Sequence, residues 1–320
     1  MQPILRSTPG NPVPGNHIAG YFEGVGGVQI RYAVFRSPVP VSKGTVVLLQ
    51  GRNESIEKYY ETINDLTARG LWVATFDWRG QGGSGRLLKN PRPGHVRHFS
   101  DYEKDLSTFI EYIVLPDTRL PFFMVAHSLG GLIALSQAPW LENRIERMAI
   151  CAPFVDLGAQ VVGSRLIGII AKAVSAIGLG ALTLKRDTAS RPFEDNLLTA
   201  DPRRFARNAE ITAMNPDLAL GPPTARWLAQ TFSAIRRVSG RGHLTSISIP
   251  TLILAPGRDR LVPYAAMERL ARNFRACQLI TIDGARHELF QEADKYRAQA
   301  MAAIEAFIPG SDAENTVPER

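Results

Sequence analysis

Three side chains of this 320-residue chain have the types and positions needed for nucleophilic catalysis by a serine: Ser128, Asp259 and His287. A serine hydroxyl is a weak nucleophile at neutral pH. It becomes reactive when a histidine accepts its proton and an acidic side chain orients that histidine. Each of the three residues follows a short apolar run that predicts a buried strand. Because parallel strands end at a common edge of their sheet, we expect the three side chains to meet there.

The stretch around Ser128 predicts a strand, a sharp turn and a helix. Residues 122–126 are apolar, Ser128 stands at the turn, two glycines follow, and residues 132–135 begin a helix. The arrangement resembles the nucleophile elbow of α/β-hydrolases, Gly-x-Ser-x-Gly, with Ala126 in place of the first glycine. A serine that only caps the helix is the structural alternative.

Asp259 and His287 also have structural alternatives. Asp259 could simply form a turn, and His287 could be an ordinary loop histidine. The joint occurrence of three suitable residue types at three strand ends favours the catalytic interpretation. Asp156 and Asp283 are the next candidates for the acid, and Glu288, beside the histidine, is expected to have a supporting role.

The tetrahedral intermediate of such a reaction needs hydrogen-bond donors for its oxyanion. The resemblance to the elbow implies one donor in the N–H of the residue after the serine, Leu129. The second is expected in the loop after the third strand, residues 50–54, where position favours the N–H of Arg52. A plain glycine turn is the alternative for this loop.

Strands and helices alternate along most of the chain, but residues 154–247 show helical patterns only. The alternation predicts one mostly parallel sheet flanked by helices, with a helical insertion. Beyond a hairpin within residues 21–35, strands are predicted at 45–50, 71–76, 122–126, 148–152, 251–255 and 278–282, and helices at 57–69, 101–115, 264–273 and 293–307. The predicted division is an N-terminal extension at 1–20, an α/β core at 21–153 and 247–308, a cap or lid at 154–246, and a disordered tail at 309–320.

Five segments together resemble the lysophospholipase and monoacylglycerol-lipase branch of the α/β-hydrolase superfamily. These are residues 50–54, 77–86, 127–131, 257–259 and 286–288. The resemblance covers residues 21–307 apart from the insertion, and it implies the α/β-hydrolase fold. It also implies hydrolysis of carboxylic esters of lipid-like substrates, most closely by a lysophospholipase. Gln50 stands where the monoacylglycerol lipases usually have histidine.

The expected mechanism passes through an acyl-enzyme on Ser128, and no metal or organic cofactor is implied. A monoacylglycerol lipase or a general carboxylesterase is the alternative for the substrate. An aminopeptidase, an amidase or an acyltransferase would use the same three side chains. A non-catalytic lipid-binding protein would keep the fold without the chemistry. The sequence does not specify the head group, the acyl length or the oligomeric state.

The net charge of +7 and the pI of about 9.6 favour anionic partners. The basic residues are scattered and match no nucleic-acid motif, so a lipid ester and an anionic membrane surface are the expected partners. The N-terminus has no secretory signal, and Cys151 and Cys277 are expected to be buried free thiols in a reducing compartment. These features predict a cytoplasmic protein, with peripheral contact at the inner membrane surface as an option.

An apolar stretch at residues 161–184 is long enough to resemble a membrane span. Its charges and four glycines instead favour a buried cap helix, or a lid that lines an acyl pocket or touches a membrane. Two further patterns do not predict a dinucleotide site or a zinc site. The Gly-x-Gly-x-x-Gly at residues 80–85 is followed by a loop rather than the helix that a dinucleotide site requires, and His95 and His98 have no third zinc ligand nearby.

Overall fold

The computed structural model of the protein describes residues 4–158, 163–184 and 192–309. The described strands form one eight-stranded sheet. They are β1 (His17–Glu23), β2 (Gln29–Phe35), β3 (Gly44–Leu49), β4 (Leu71–Phe76), β5 (Phe122–His127), β6 (Arg147–Cys151), β7 (Thr251–Pro256) and β8 (Cys277–Ile282).

Helices connect and cover these strands. The described helices are α1 (Tyr60–Ala68), α2 (Phe99–Phe109), α3 (Leu115–Asp117), α4 (Leu129–Leu141), α5 (Ser164–Val174), α6 (Pro202–Met214), α7 (Ala225–Val238), α8 (Arg241–Thr245), α9 (Tyr264–Arg272) and α10 (Asp294–Phe307).

The strand order in the sheet is β1-β2-β4-β3-β5-β6-β7-β8. The pairs β1–β2 and β2–β4 are antiparallel, and all later pairs are parallel. This confirms the predicted hairpin and the predicted mostly parallel sheet. The parallel strands β3, β5, β6, β7 and β8 therefore end at the same edge, where loops can bring their side chains together.

Helices pack on both faces of the sheet, and each face has its own apolar core. One core contains side chains of α2, α4, α7 and α9, and the other contains side chains of α1 and α10. Every residue of β3, β5 and β7 is buried, as expected for strands covered on both faces. These continuous apolar runs explain why the central strands could be located from sequence.

The segment between β6 and β7 differs from the rest of the chain. Among its described residues it contains helices α5 to α8 and takes part in two isolated bridges, Thr183 to Thr224 and Gly94 to Pro223, but it contains no strand of the sheet. Helix α5 packs on α7, with Gly168 and Ala171 buried between them. The described helices include none that is long and apolar enough to cross a membrane.

Three details differ from expectation. β1 begins at His17, inside the region predicted as an N-terminal extension, because it pairs with β2 through its whole length. The helix predicted to end before Pro116 continues to Asp117. There the Leu115 N–H donates to the Ile110 carbonyl in a π-turn, which is wider than an α-helical turn. This wider turn comes directly before Pro116, which has no backbone N–H to donate. Cys277 is only partly buried, because β8 lies at the sheet edge.

Two predicted segments lie partly outside the described residues. Apart from Pro309, the predicted disordered tail lies outside the described residues, as do residues 161–162 of the apolar stretch. Within that stretch, α5 ends at Val174 and a π-turn follows at Ser175–Leu179, in which Gly178 has a φ of 86°. The helix is therefore interrupted rather than continuous.

The first turn of α4 lies against the end of β3. A Cβ atom at Gly130 would lie 2.6 Å from the carbonyl oxygen of Leu49 and 2.7 Å from that of Gln50. Both are backbone atoms, which cannot move aside as a flexible side chain can. Glycine at this position therefore allows the helix to start directly beside the loop that follows β3.

Replacing Gly130 with alanine is expected to destabilise the protein by about 1–3 kcal/mol, because α4 must move away from β3. Urea unfolding measures the change in the free energy of unfolding. Gly242→Ala in α8 is the matched control, since a Cβ there has no atom within 4 Å. That control should be neutral or stabilising by up to about 1 kcal/mol. Equal effects of the two substitutions would contradict the close-packing explanation.

Candidate active site

Ser128 occupies a strained turn between β5 and α4. Its φ of 50° and ψ of −112° are unusual for a residue with a side chain, and such a conformation costs on the order of 1–3 kcal/mol. Three backbone hydrogen bonds hold it. The Ser128 N–H donates to the Cys151 carbonyl at 3.1 Å, and the Ser128 carbonyl accepts from Leu132 at 3.1 Å and Phe154 at 3.0 Å. The turn thereby presents the hydroxyl at the carboxyl edge of the sheet.

His287 and Asp259 lie in hydrogen-bond contact with this serine. His287 Nε2 is 3.0 Å from Ser128 Oγ, and His287 Nδ1 is 2.6 Å from Asp259 Oδ2. A carboxylate can only accept, so Nδ1 must carry the proton and Nε2 is left to accept from the serine. The structure therefore brings together the three side chains that the sequence predicted, in the order the chemistry needs.

Backbone amides hold the Asp259 carboxylate in place. Its Oδ1 accepts hydrogen bonds from the N–H groups of Leu261 at 2.8 Å and Val262 at 2.9 Å, which leaves Oδ2 for the histidine. Asp156, the first alternative acid, instead accepts from Ser164 Oγ at 2.8 Å and lies 3.7 Å from Arg269. Asp283 lies beside Gly257 and has no contact with His287 among the hydrogen bonds of the described residues.

The two amides predicted as oxyanion donors lie in adjacent segments. Leu129 is the first residue of α4, and the close approach at Gly130 brings that turn against the loop containing Arg52. Within the described part of the chain, neither of these N–H groups has an acceptor. The Gly51 N–H, by contrast, is occupied by Glu54 Oε2 at 2.5 Å. The two free amides remain the predicted donors.

The Arg52 side chain links the same loop to the segment between β6 and β7. Its guanidinium donates to the Gly221 carbonyl and lies 5.3 Å from the ring centroid of Trp227 in α7. Burial lowers the pKa of Arg52 to about 10, and Tyr102 opposes that shift. The sequence predicted a role for the amide of Arg52. The structure shows that the Arg52 side chain, in addition, connects this loop to the helical segment.

A buried polar network lies behind His287, and the sequence indicated only part of it. Its members are Glu54, Lys58, Tyr59, His127 and Glu288. The His127 ring lies 4.9 Å from the His287 ring, and burial lowers the pKa of His127 to about 4, which keeps that ring neutral at pH 7. In the sequence, the i,i+4 spacing of Glu54 and Lys58 indicates that these two side chains can pair. It gives no indication of Glu288, which lies 230 positions from Lys58.

The glycine-rich segment at residues 80–85 and the two histidines His95 and His98 have structural explanations. The glycine-rich residues 80–85 lead into turns, and the next helix, α2, begins only at Phe99. His95 Nδ1 contacts Thr224 Oγ1 at 2.9 Å, and the N–H of His98 donates to Asp101 at the start of α2. Over the described residues, no group of three or more His, Cys, Asp or Glu side chains is arranged to hold a metal ion.

Comparisons with known proteins identify relatives whose names describe lipid-hydrolysing enzymes. Lysophospholipase L2 of Escherichia coli K12 is 31% identical over 303 residues, which cover 90% of this chain and 86% of that protein. The monoacylglycerol lipase of Mycolicibacterium smegmatis is 26% identical over 279 residues, covering 86% and 91%. In the relatives' own names, both are lipid-ester hydrolases.

A solved structure shares the fold. A soluble variant of monoglyceride lipase from Saccharomyces cerevisiae superposes with a TM-score of 0.74 at 20% identity, covering 93% of this chain and 95% of that one. A profile of the family described as "Serine aminopeptidase, S33" matches residues 40–294. These matches confirm the predicted fold class and the prediction of a serine hydrolase. The chain belongs to this family of α/β-hydrolases.

Proposed function

We propose that the protein hydrolyses carboxylic esters of lipid-like substrates as a lysophospholipase, with Ser128, His287 and Asp259 as its catalytic triad. The observation that carries the proposal is the unbroken chain of contacts from Asp259 through His287 to the Ser128 hydroxyl. A structural serine cap would not need a buried histidine at 3.0 Å, itself held by a buried carboxylate. The relatives, which are named as lysophospholipases and monoacylglycerol lipases, support the substrate class.

In the proposed mechanism, His287 Nε2 takes the Ser128 proton while Oγ attacks the ester carbonyl. Asp259 stabilises the imidazolium that forms, without accepting a proton itself. The N–H groups of Leu129 and Arg52 donate to the oxyanion. His287 then protonates the leaving alcohol, and the same nitrogen later activates a water that releases the fatty acid from Ser128.

A polar cavity favours a substrate with a charged head group over one with an uncharged glycerol. It has a volume of about 220 Å³ and is lined in part by Arg260 and Arg286, each one position from a triad member. Glu194 and Asp195 line it from the segment between β6 and β7. Basic and acidic groups in one cavity suit a head group with a phosphate and an ammonium, as in a lysophosphatidylethanolamine. The uncharged glycerol of a monoacylglycerol would form no ion pair with either.

Ser128→Ala is expected to reduce ester hydrolysis by at least about 10⁴-fold, because the nucleophile is lost. The fluorophosphonate probe that labels the wild type should no longer react, while the circular dichroism spectrum stays unchanged. Ser107→Ala in α2 is the control and should keep full activity. If Ser128→Ala retains most of the rate, or if the wild type does not react with the probe, the assignment is wrong and a non-catalytic lipid-binding protein is favoured.

Arg260→Gln is expected to lower kcat/KM on lysophosphatidylethanolamine by about 10-fold or more, since one charge-assisted hydrogen bond to phosphate is lost. Activity on a monoacylglycerol of the same acyl chain should change by less than about 2-fold. Arg272→Gln, at an exposed arginine of α9, is the control. An equal loss on both substrates would contradict the head-group role. A wild type that prefers the monoacylglycerol or an aminoacyl amide would point to the alternative activities.

We propose further that residues 154–246 form a cap whose outer surface contacts an anionic membrane. Seven large apolar side chains within 19 residues are exposed there, more than monomeric surfaces usually leave uncovered. They are Leu166, Ile169, Ile170, Ile177, Leu179, Leu182 and Leu184. Arg165 directly precedes them in sequence, Lys172 lies among them, and the chain as a whole carries a charge of +7. Apolar groups beside cations suit insertion at the level of lipid phosphates.

The double variant Ile169→Gln, Ile177→Gln is expected to bind vesicles of phosphatidylglycerol and phosphatidylcholine at least about 10-fold more weakly than the wild type, because each isoleucine contributes apolar burial. Vesicle co-sedimentation measures the affinity. Val41→Gln, Tyr112→Gln, at exposed apolar residues outside the cap, is the control. Turnover of a short soluble ester should be unaffected. Equal vesicle binding by all three proteins would contradict this surface as the docking site.

A further inference from the structure

A single buried ammonium joins the two loops that the proposed mechanism depends on. Lys58 Nζ lies 2.8 Å from Glu54 Oε1 and 2.7 Å from Glu288 Oε1. Glu54 belongs to the segment that follows β3, and Glu288 directly follows His287 in the chain. The Lys58 side chain is 12% exposed, and those of Glu54 and Glu288 are 3% and 8% exposed. The bridge is therefore shielded from solvent, unlike a surface ion pair.

The Glu54 end of the bridge determines the shape of the oxyanion loop. Glu54 Oε2 accepts from the Gly51 N–H at 2.5 Å and from the Tyr59 hydroxyl at 2.6 Å. The carboxylate lies so close to Gly51 that a Cβ there would be 2.7 Å from Oε2. With the Gly51 amide directed at Glu54, the next amide along the chain, that of Arg52, is left free for an oxyanion.

The Glu288 end holds the histidine loop. Besides the side-chain contact with Lys58, the Glu288 N–H donates to the Leu198 carbonyl at 2.8 Å. Gln291 Nε2 donates to the Lys58 carbonyl at 2.9 Å, so the lysine is bonded to this loop by its backbone as well as its side chain. A displacement of Glu288 would move the adjacent His287 relative to Ser128.

The charges of the network are consistent with this bridge. Although burial by itself would raise it, Lys58 and His127 hold the pKa of Glu54 down to about 2. Burial opposes the charged form of Lys58, but Glu288 and Glu54 raise its pKa above the ordinary value. Burial and the neighbouring Glu54 raise the pKa of Glu288, and Lys58 opposes that rise. Lys58 is thus the cation that allows two carboxylates to share a buried site.

We propose that Lys58 is a positioning residue of the hydrolytic site, which holds the oxyanion loop and the histidine loop in register through Glu54 and Glu288. This inference rests on the proposed function, because it concerns the placement of the Arg52 amide and His287. Lys58 itself touches no reacting atom. Its effect is on the geometry of both catalytic groups, which must be correct simultaneously in the transition state.

The test measures kcat and KM for a short soluble ester, per active site counted by fluorophosphonate labelling. Lys58→Met is expected to lower kcat by about 10- to 100-fold with little change in KM, since displaced catalytic groups affect the transition state more than binding. Lys58→Arg should restore a large part of kcat, because a guanidinium can bridge the same carboxylates. Lys104→Met, at an exposed lysine of α2, is the control.

The coupling between the two loops has its own readout. The double variant Lys58→Met, Glu288→Gln should lose little more kcat than Lys58→Met alone, because both substitutions break the same bridge. Multiplying losses would mean that the two residues act independently and would overturn the proposal.

Glu288→Gln gives a test that does not require Lys58→Met to fold. It breaks the same bridge at its other end, so it should also lower kcat per labelled site by about 10-fold or more with little change in KM. A wild-type kcat in Glu288→Gln would contradict the proposal.

These outcomes separate the two proposals. If the wild type fails to label at Ser128 or to hydrolyse the ester, the proposed function fails. If the wild type labels and turns over, but Lys58→Met keeps the wild-type kcat per labelled site, only the role of Lys58 is overturned. A loss of labelled sites with unchanged kcat for those remaining would show a purely structural role and would equally overturn it.

Discussion

The close contact between the start of α4 and the end of β3 is the constraint on which the site depends. Gly130 lets the backbone of the helix approach two carbonyl oxygens, one of Leu49 at the end of β3 and one of Gln50 in the loop that follows. The strained Ser128 turn can then stand directly beside the loop that follows β3, so that the proposed nucleophile and the proposed amide donors lie at one edge of the sheet. Three hydrogen bonds to the Ser128 backbone stabilise a conformation that local sequence alone would not favour.

Electrostatics behind the histidine complement this geometry. His127 stays neutral because it is buried, and the two carboxylates of the network share one ammonium. The surroundings of His287 are therefore negative on balance, with Asp259 in direct contact. In the proposed mechanism such a field would stabilise the imidazolium of His287, and the lack of solvent would strengthen each interaction.

The segment between β6 and β7 is bonded to the loops of the same site. Arg52 extends from the oxyanion loop to Trp227 and Gly221, while Leu198 accepts a hydrogen bond from the residue after His287. The proposed cap is thus bonded to both proposed catalytic loops, and α5 carries exposed apolar side chains. Under the proposed function, these side chains contact the membrane that contains the lipid substrate.

The sequence by itself determined the alternation of strands and helices and placed Ser128, Asp259 and His287 at strand ends. Those features follow from local apolar runs and turn residues, which need no knowledge of distant neighbours. It also supplied the resemblance that the family match confirms. Strand positions such as Leu71–Phe76 could be predicted because buried strands are mostly apolar, here at every position except Thr75.

Only the tertiary structure decided which acid contacts His287, since Asp156, Asp259 and Asp283 were all compatible with the pattern. The order β5-β6-β7-β8 in the sheet and the loop after β7 direct Asp259 to the imidazole. The bridge from Lys58 to Glu288 was equally inaccessible, because its partners lie 230 positions apart. Such pairings depend on how strands are ordered and helices packed, and no local run of residues encodes that order.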